Sequence, residues 1–275
     1  MDNTTSISYC DKISLMMFGF GDSQKPNPET VQLVESVVLK QLREIVHEAA
    51  KNANRRSVKT IHPEDIIFLL RHDRHKMQRF VKYLDYKYVD VANINSNNCD
   101  SEVVANKKRK TLRAFIESID ETGELLDTDE FDTLKHDRAV RAERISSALD
   151  EDKYKEYAKA RQASFFSKQF AQPNKFRLWV DPQHELNLTQ GTIEILELLA
   201  YGIVGHITDM ALILQQNMKR VTGDPLHMLT GSFYNSVMFN VPHISQTNLF
   251  HRKDLGSAAQ AQSGQSPISV SEVRE

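Results

Sequence analysis

The sequence has 275 residues, of which 26% are charged, with a formal net charge of −2 and a mean hydropathy of −0.48. This length allows one sizeable core or two domains, and the composition is typical of a soluble helical protein. The only two cysteines, Cys10 and Cys99, exclude a disulfide framework and a cysteine zinc site, so we expect free thiols in a reducing compartment. Residues 15–20 are too short an apolar run for a secretion signal.

Residues 13–88 predict, in order, a short helix, a very long helix, a short extended turn, a short helix and a basic helix. Pro26 and Pro28 block helix formation before the long helix, which we predict from Glu29 to about Ala53. Its apolar residues recur at steps of three and four, which predicts one buried stripe. The stripe contains Val31, Val34, Val38, Leu42, Ile45 and Ala49.

The next helix has a clear start signal, because Pro63 suits the first helical position and Asp65 can cap it three residues after His62. The whole order of elements is the plan of a histone fold, a module that folds only as a pair. A generic helical bundle is the alternative. We predict an all-α chain with a first histone fold over residues 7–88.

The middle of the chain divides by composition. Residues 89–110 are Asn-rich and predict a disordered spacer, which contains a basic tetrad suited to nuclear import. A solvated run of charge is the alternative reading of this tetrad, which consists of Lys107, Lys108, Arg109 and Lys110. Residues 111–168 predict a charged helical linker. Within it, 114–134 is acidic, which suits either a solvated face or a basic partner.

A weak internal repeat predicts a second histone fold over residues 174–275. Apolar residues alternate at steps of three and four between Thr192 and Met218, which predicts a second long helix. The charged Glu194, Glu197 and Asp209 argue against a membrane span. We expect apolar residues of the two long helices to form a core that pairs the folds. This core contains Val34, Val38, Leu42, Ile45, Leu196, Val204, Ile207 and Leu214.

The end of the chain repeats the start signal of the third predicted helix. Ser269 and Glu272 have the spacing of a capping box, as His62 and Asp65 do. Residues 223–266 between the second long helix and this signal predict a disordered insertion, with a docking motif as the alternative. We expect the last helix of the second fold to be truncated by the end of the chain.

The sequence predicts no enzyme, no cofactor and no metal site. It has no Gly-rich phosphate loop, no nucleophile elbow and no HExxH. His72 and His75 have a spacing that could hold a metal, but no third ligand lies near in sequence, so surface histidines are the better interpretation.

Several segments carry a resemblance to a known family. Residues 15–22, 34–49 and 62–84 resemble the histone-fold region shared by a TFIID subunit and by the suppressor-of-Ty-three subunits of the SAGA coactivator. The segments at 115–127 (FIESIDETGELLD), 153–165, 175–181 and 267–275 resemble only the SAGA subunits. Histone folds often pair an Arg before the short helix with the Asp that begins it. Here Asp65 is present, while its partner stays open among Arg55, Arg56 and Lys59.

This resemblance implies a coactivator subunit in the nucleus that binds the TATA-binding protein and other SAGA subunits, including histone-fold subunits. A lone histone fold exposes one side of its long helix, so we expect the two folds to pair within the chain as a pseudodimer. Pairing of each fold with another subunit is the alternative. We expect the partner contacts on the polar edges of the second long helix and on the basic helix, at Arg71, Asp73, Arg74, Lys76, Arg79 and Lys82. The alternatives are a TFIID-type subunit and a histone-like DNA-binding pseudodimer. The negative net charge favours weak or no direct nucleic-acid binding.

Overall fold

The computed structural model describes residues 7–94, 99–127, 131–166, 175–218 and 267–274, and these are mostly helical, which confirms the predicted helical class. The helices are α1 (Cys10–Phe20), α2 (Pro28–Arg55), α3 (Pro63–Leu70), α4 (Arg74–Ile94), α5 (Cys99–Ile119), α6 (Thr133–Ala148), α7 (Glu151–Arg161), α8 (Lys175–Val180), α9 (Gln190–Met218) and α10 (Val270–Arg274). Two strands, β1 (Thr60–Ile61) and β2 (Asn187–Leu188), pair in parallel, with Ile61 opposite Leu188.

Local sequence explains where the first two helices end and begin. Gly21 follows α1 with a φ of 117°, a left-handed conformation that glycine adopts without steric cost. Asn27 precedes α2, and its side-chain oxygen accepts a hydrogen bond from the backbone N–H of Glu29 at 2.9 Å. Pro28 occupies the first helical position, where a missing N–H costs nothing. These signals fix the start of the long helix α2.

The described fold divides into two compact units. Unit 1 comprises Met1–Gln41, Thr133–Trp179 and Glu197–Glu275, and unit 2 comprises Leu42–Asp132 and Val180–Leu196. Each unit therefore contains segments from both the N-terminal and the C-terminal part of the sequence. The two long helices, α2 and α9, each contribute residues to both units.

The two long helices bury their side chains in the same pattern. In α2 the buried series is Val31, Val34, Val38, Leu42, Val46, Ala49 and Ala53. In α9 the series Ile193, Leu196, Ala200, Val204, Thr208, Ala211 and Gln215 is buried at the same steps. The register is the same throughout, so that Val31 corresponds to Ile193 and Ala53 to Gln215. The internal repeat is therefore a repeat of buried faces, even where residue types differ.

Three residues of the predicted pairing core are only half-buried. Ile45, Ile207 and Leu214 lie one position before the buried residues of their helices. A strict three–four alternation follows a period of 3.5 residues, whereas an α-helix has 3.6 residues per turn, so the predicted stripe drifts around the helix. The observed series has one more consecutive step of four in each helix than the predicted series. This extra step keeps the buried residues on one side of the helix.

The prediction of a disordered spacer at 89–110 is wrong for the residues that the structure describes. α4 continues to Ile94, and α5 already begins at Cys99. Asparagine is a poor helix former, which made the segment look irregular. Packing overrides that preference, because the α5 side chains of Leu112 and Ile116 are buried. Residues 95–98 and the predicted insertion at 223–266 lie outside the described part.

In unit 1 the helical linker packs closely on α1. Gly19 allows this approach, since a Cβ atom there would lie 2.8 Å from the backbone oxygen of Ala160 in α7. A four-ring aromatic cluster follows, with Trp179 stacked on Phe165 at 5.8 Å and tilted against Tyr9 at 4.9 Å; the fourth ring is Phe176. The cluster ties the segment before α1 to α8 and to the end of the linker.

α9 is a long, apolar helix. Its span Gln190–Gln215 is long and apolar enough to cross a membrane, with a mean hydropathy of 1.4, but 56% of the window is buried inside the protein. The helix also buries polar groups that have partners, such as the Thr208 hydroxyl, which donates to the Val204 carbonyl at 2.8 Å. These features are those of a core helix.

Candidate interaction surface

Two matched contacts join the N-terminal part of the sequence to the C-terminal part. In unit 2, the hydroxyl of Thr192, at the start of α9, donates a hydrogen bond to the backbone carbonyl of Ile61 at 2.8 Å. In unit 1, the hydroxyl of Thr30, at the start of α2, donates to the carbonyl of Ile268 at 2.8 Å. Both threonines are fully buried. Each long helix therefore begins against the loop that precedes the last short helix of the other half.

The same two loops carry equivalent acidic caps. The backbone N–H of His62 donates to Asp65 Oδ2 at 2.9 Å, and the N–H of Ser269 donates to Glu272 Oε2 at 2.6 Å. Both carboxylates lie in the first turn of a helix, where the dipole favours negative charge. Asp65 and Glu272, the two predicted caps, thus make the same backbone contact in the two halves.

Unit 1 adds a further carboxylate to its loop. Asp22 is 3% exposed, and its Oδ1 accepts hydrogen bonds from the N–H groups of Ser23 at 2.7 Å and Ile268 at 3.0 Å. Burial raises the pKa of Asp22 above its ordinary value, despite these two hydrogen bonds. The residue fixes the loop before α10 next to the end of α1.

Arg56 is the arginine that pairs with Asp65. Its Nε lies 3.1 Å from Asp65 Oδ1, and its Nη2 lies 2.5 Å from Oδ2. Arg55 instead donates to Asn52 at 3.4 Å. A two-pronged contact of this kind fixes the geometry of a carboxylate better than a single charge does. The alternatives that the sequence left open are thereby resolved in favour of Arg56.

Replacing Arg56 with Ala should lower the free energy of unfolding by about 1–3 kcal/mol, because Asp65 is 2% exposed and would lose its charged partner. The matched control is Arg55→Ala on the neighbouring residue, for which we expect a change within about 0.5 kcal/mol. Urea unfolding of both variants, followed by far-UV circular dichroism, measures the difference. Equal effects of the two substitutions would contradict the assignment.

The predicted partner-contact residues lie on or next to α4, and several of their charged groups make hydrogen bonds or ion pairs within the chain. Arg71 donates to the Phe68 carbonyl at 2.6 Å and stacks over the Phe68 ring at 3.9 Å. Asp73 precedes α4 and accepts from the backbone N–H of Lys76 at 2.9 Å. The ammonium of Lys76 lies 2.8 Å from the same carboxylate and keeps 58% of its side chain exposed. Lys82 is half-buried.

Arg74 and Arg79 of α4 pair with the acidic segment of the linker. Arg79 holds Asp132 with two contacts, Nε to Oδ2 at 2.7 Å and Nη2 to Oδ1 at 2.9 Å. Arg74 lies 3.2 Å from Glu124 and 3.8 Å from Asp127. The sequence left open whether this acidic segment is solvated or bound to a basic surface. In unit 2 it is bound to the basic helix of the same chain.

The basic tetrad lies on α5 and not on an extended spacer. Lys107 and Lys110 are exposed, whereas Arg109 lies 2.7 Å from Asp85 of α4, which also binds Arg113 at 2.9 Å. The side chain of Lys108 lies outside the described part. An import signal of this kind therefore presents Lys107 and Lys110 from a helix, while Arg109 joins α5 to α4.

Sequence reasoning missed the most buried ion cluster of unit 1. Asp209 of α9 is 3% exposed, and both of its oxygens bind arginines of α6. Arg138 Nε lies 2.8 Å from Oδ2, and Arg141 Nη1 lies 2.7 Å from Oδ1. Arg138 also stacks on the ring of Phe20 at 4.8 Å. Its charge among apolar residues of a long helix was a signal that Asp209 needed a partner, but nothing in the sequence identified which one.

The described residues form no group of three or more His, Cys, Asp or Glu side chains that could hold a metal ion. His72 and His75 are both exposed. The described residues instead form ion pairs and half-exposed charged faces, which suit contacts with other macromolecules.

Comparison with known proteins finds one family model that matches the N-terminal third of the sequence. Residues 7–96 match the family described as Transcription initiation factor IID, 18kD subunit. Human Transcription initiation factor TFIID subunit 13 is 35% identical over 71 residues, which cover 26% of this chain and 55% of that protein. The match to the family model covers the region from α1 to α4.

Other relatives match most of the chain. The SAGA complex subunit Spt3 of Drosophila melanogaster is 28% identical over 253 residues, which cover 87% of this chain and 62% of that protein. The SAGA complex subunit Spt3 of Schizosaccharomyces pombe is 30% identical over 233 residues, which cover 78% of this chain and 75% of that protein. The resemblance predicted from the sequence is confirmed, and the chain belongs to the family of the SAGA complex subunit Spt3.

Proposed function

We propose that this chain is a non-catalytic subunit of a SAGA-type transcription coactivator in the nucleus, where it binds the TATA-binding protein and helps deliver it to polymerase II promoters. The observation that carries this proposal is the similarity to SAGA complex subunit Spt3 proteins over 78% and 87% of the chain. That similarity extends well beyond the segment shared with TFIID subunits. Other SAGA subunits, including histone-fold subunits, are the further partners we propose.

The proposal includes a pair of histone folds within one polypeptide, over residues 7–88 and 174–275, with 111–168 as the helical linker. The matched contacts support it, because Thr30 of the first fold binds Ile268 of the second, while Thr192 of the second binds Ile61 of the first. The same series of buried positions in α2 and α9 supports it as well. A chain paired in this way offers one surface built from both folds.

A TFIID-type subunit is the alternative function. Its support is the 35% identity to TFIID subunit 13, which covers only 26% of this chain. A DNA-binding role like that of true histones has less support. Arg74, Arg79 and Arg109 are engaged with carboxylates of the same chain, so fewer positive charges remain for phosphate contacts.

We propose α4 as the contact helix for the TATA-binding protein, and the polar edges of α9 as a separate candidate contact. On α4, Lys76, His75 and Tyr86 are exposed, and Lys82 is half-buried. In contacts of this kind, charged side chains raise specificity and the association rate. Apolar side chains contribute most of the affinity.

Calorimetric titration of purified TATA-binding protein into the 275-residue chain at physiological salt should give a saturable one-to-one isotherm. The variant Lys76→Glu/Lys82→Glu should bind about 10-fold more weakly, which corresponds to about 1.4 kcal/mol. Lys153→Glu/Lys155→Glu on α7 changes the net charge equally at exposed positions and should leave the affinity unchanged.

Absence of heat at several temperatures would contradict direct binding of the TATA-binding protein by this chain. Tight binding of duplex DNA that falls steeply with added salt would favour the histone-like alternative instead.

A further inference from the structure

We propose that the arginine-bearing face of α4 is a docking surface for an acidic polypeptide segment of a partner protein, and that the acidic part of the chain's own linker covers it until such a partner competes. The face is defined by Arg74 and Arg79, and the cover by Glu124, Asp127 and Asp132. The inference rests on the proposed adaptor function, since it concerns the same helix.

The first support is the chemistry of the contacts. Arg79 binds the carboxylate of Asp132 through two parallel contacts at 2.7 and 2.9 Å, the geometry in which a guanidinium recognises a carboxylate. Arg74 reaches two further carboxylates, those of Glu124 and Asp127. The face therefore already holds an acidic segment in unit 2, and any polypeptide with carboxylates at a similar spacing can make the same contacts.

The second support is the exposure of the contacts. Arg74 and Arg79 are 36% and 40% exposed, and Glu124 and Asp127 are 53% and 47% exposed. Ion pairs in contact with water contribute little to stability, since solvent and salt screen them and their side chains lose entropy. The Arg74 contacts can thus be exchanged at small cost. The Arg79–Asp132 pair is held more firmly, because the Asp132 side chain is 17% exposed, but it is still more accessible to water than the Asp209 side chain, which is 5% exposed between its two arginines.

The third support is the way the cover is attached. Leu125 is 7% exposed, and the Asp120 carboxylate accepts hydrogen bonds from the N–H groups of Gly123 at 2.8 Å and Leu125 at 2.9 Å. This turn stays in place through contacts that do not involve the arginines. The carboxylates can therefore leave Arg74 and Arg79 while the segment remains tethered nearby, and they compete as an intramolecular ligand at high effective concentration.

The test uses the full 275-residue chain and a fluorescein-labelled oligo-glutamate peptide, followed by fluorescence anisotropy at physiological salt. The uncovered variant Glu124→Gln/Asp127→Asn/Asp132→Asn should bind the peptide at least about 10-fold more tightly than the unchanged chain. Adding Arg74→Ala and Arg79→Ala to this variant should remove the gain. An oligo-glutamine peptide should bind neither protein.

A charge-matched control separates docking from a general increase in positive charge. Glu48→Gln/Glu151→Gln/Asp152→Asn removes three exposed carboxylates elsewhere and should bind the peptide like the unchanged chain. Equal gains in the two triple variants would overturn the proposal. So would a gain that survives loss of both arginines, or a preference of the uncovered variant for duplex DNA over the peptide.

The assay contains no TATA-binding protein, so its outcome is separate from that of the proposed function. Circular dichroism of each variant should show unchanged helicity, and the Arg74→Ala/Arg79→Ala variant with the cover intact provides a second folded background. In that background the peptide should bind no better than to the unchanged chain, and better binding would overturn the proposal.

Discussion

Replacing Asp209 with Ala should lower the free energy of unfolding by about 3 kcal/mol. The substitution leaves Arg138 and Arg141 without their carboxylate, and loss of one partner from a buried ion pair typically costs about 3–5 kcal/mol. We expect the lower end of that range, because the two arginine side chains are 22% and 18% exposed and can reach water. Urea unfolding followed by far-UV circular dichroism gives the value.

Asp152→Ala on α7 is the control for this prediction. Asp152 also lies near a cation, Lys155 at 3.6 Å, but its side chain is 97% exposed, so we expect no measurable change. Replacing the whole cluster, with Asp209→Leu, Arg138→Met and Arg141→Met, should restore much of the stability, because a packed apolar group avoids the desolvation of three charges. An Asp209→Ala variant as stable as Asp152→Ala would contradict the buried position of the cluster.

Replacing Leu42 with Ala should lower the free energy of unfolding by about 2–5 kcal/mol, the usual cost of removing a fully buried leucine side chain. Leu42 lies at the centre of the buried series of α2 and corresponds to Val204 in α9. The cost includes both the lost burial and the cavity that remains, so it depends on how far the neighbours can relax.

Leu15→Ala provides the comparison for Leu42, since Leu15 is 40% exposed on α1 and should change stability by less than about 1 kcal/mol. Ile45→Ala adds a second comparison within the same helix. The steps of three and four in the sequence place Ile45 in the core, but the structure leaves it half-buried. Val46→Ala, which removes two carbons, should therefore cost more stability per carbon removed than Ile45→Ala, which removes three. A larger cost per carbon at Ile45 than at Val46 would contradict the observed burial and favour the buried stripe predicted from the sequence.

Local signals in the sequence predicted the helices well where they act over a few residues. Pro63 and Asp65 mark a helix start that the structure has at the same position, because capping and the missing proline N–H are local effects. The long helix α2 begins at Pro28, one residue before its predicted start at Glu29, because proline is tolerated at the first helical position. The start signal at Ser269 and Glu272 belongs to the same class. These contacts join residues only three positions apart, so the residue types at those positions are enough to predict them.

Long-range pairings could not be predicted in the same way. Asp209 lies 71 positions from Arg138, and Asp132 lies 53 positions from Arg79. Many carboxylates and arginines were available, and only the packed helices decide which of them meet. The prediction of a disordered spacer failed for a related reason. Its asparagines oppose helix formation, whereas burial of Leu112 and Ile116 stabilises α5.

We propose that one chain supplies both members of a histone-fold pair. Sedimentation equilibrium of the 275-residue chain, over a range of concentrations that includes physiological levels, tests it most directly. We expect a single folded species at the chain mass of 31.5 kDa, independent of concentration. A concentration-dependent shift toward twice that mass, with helicity lost on dilution, would show that each fold pairs with a second molecule and would contradict pairing within the chain.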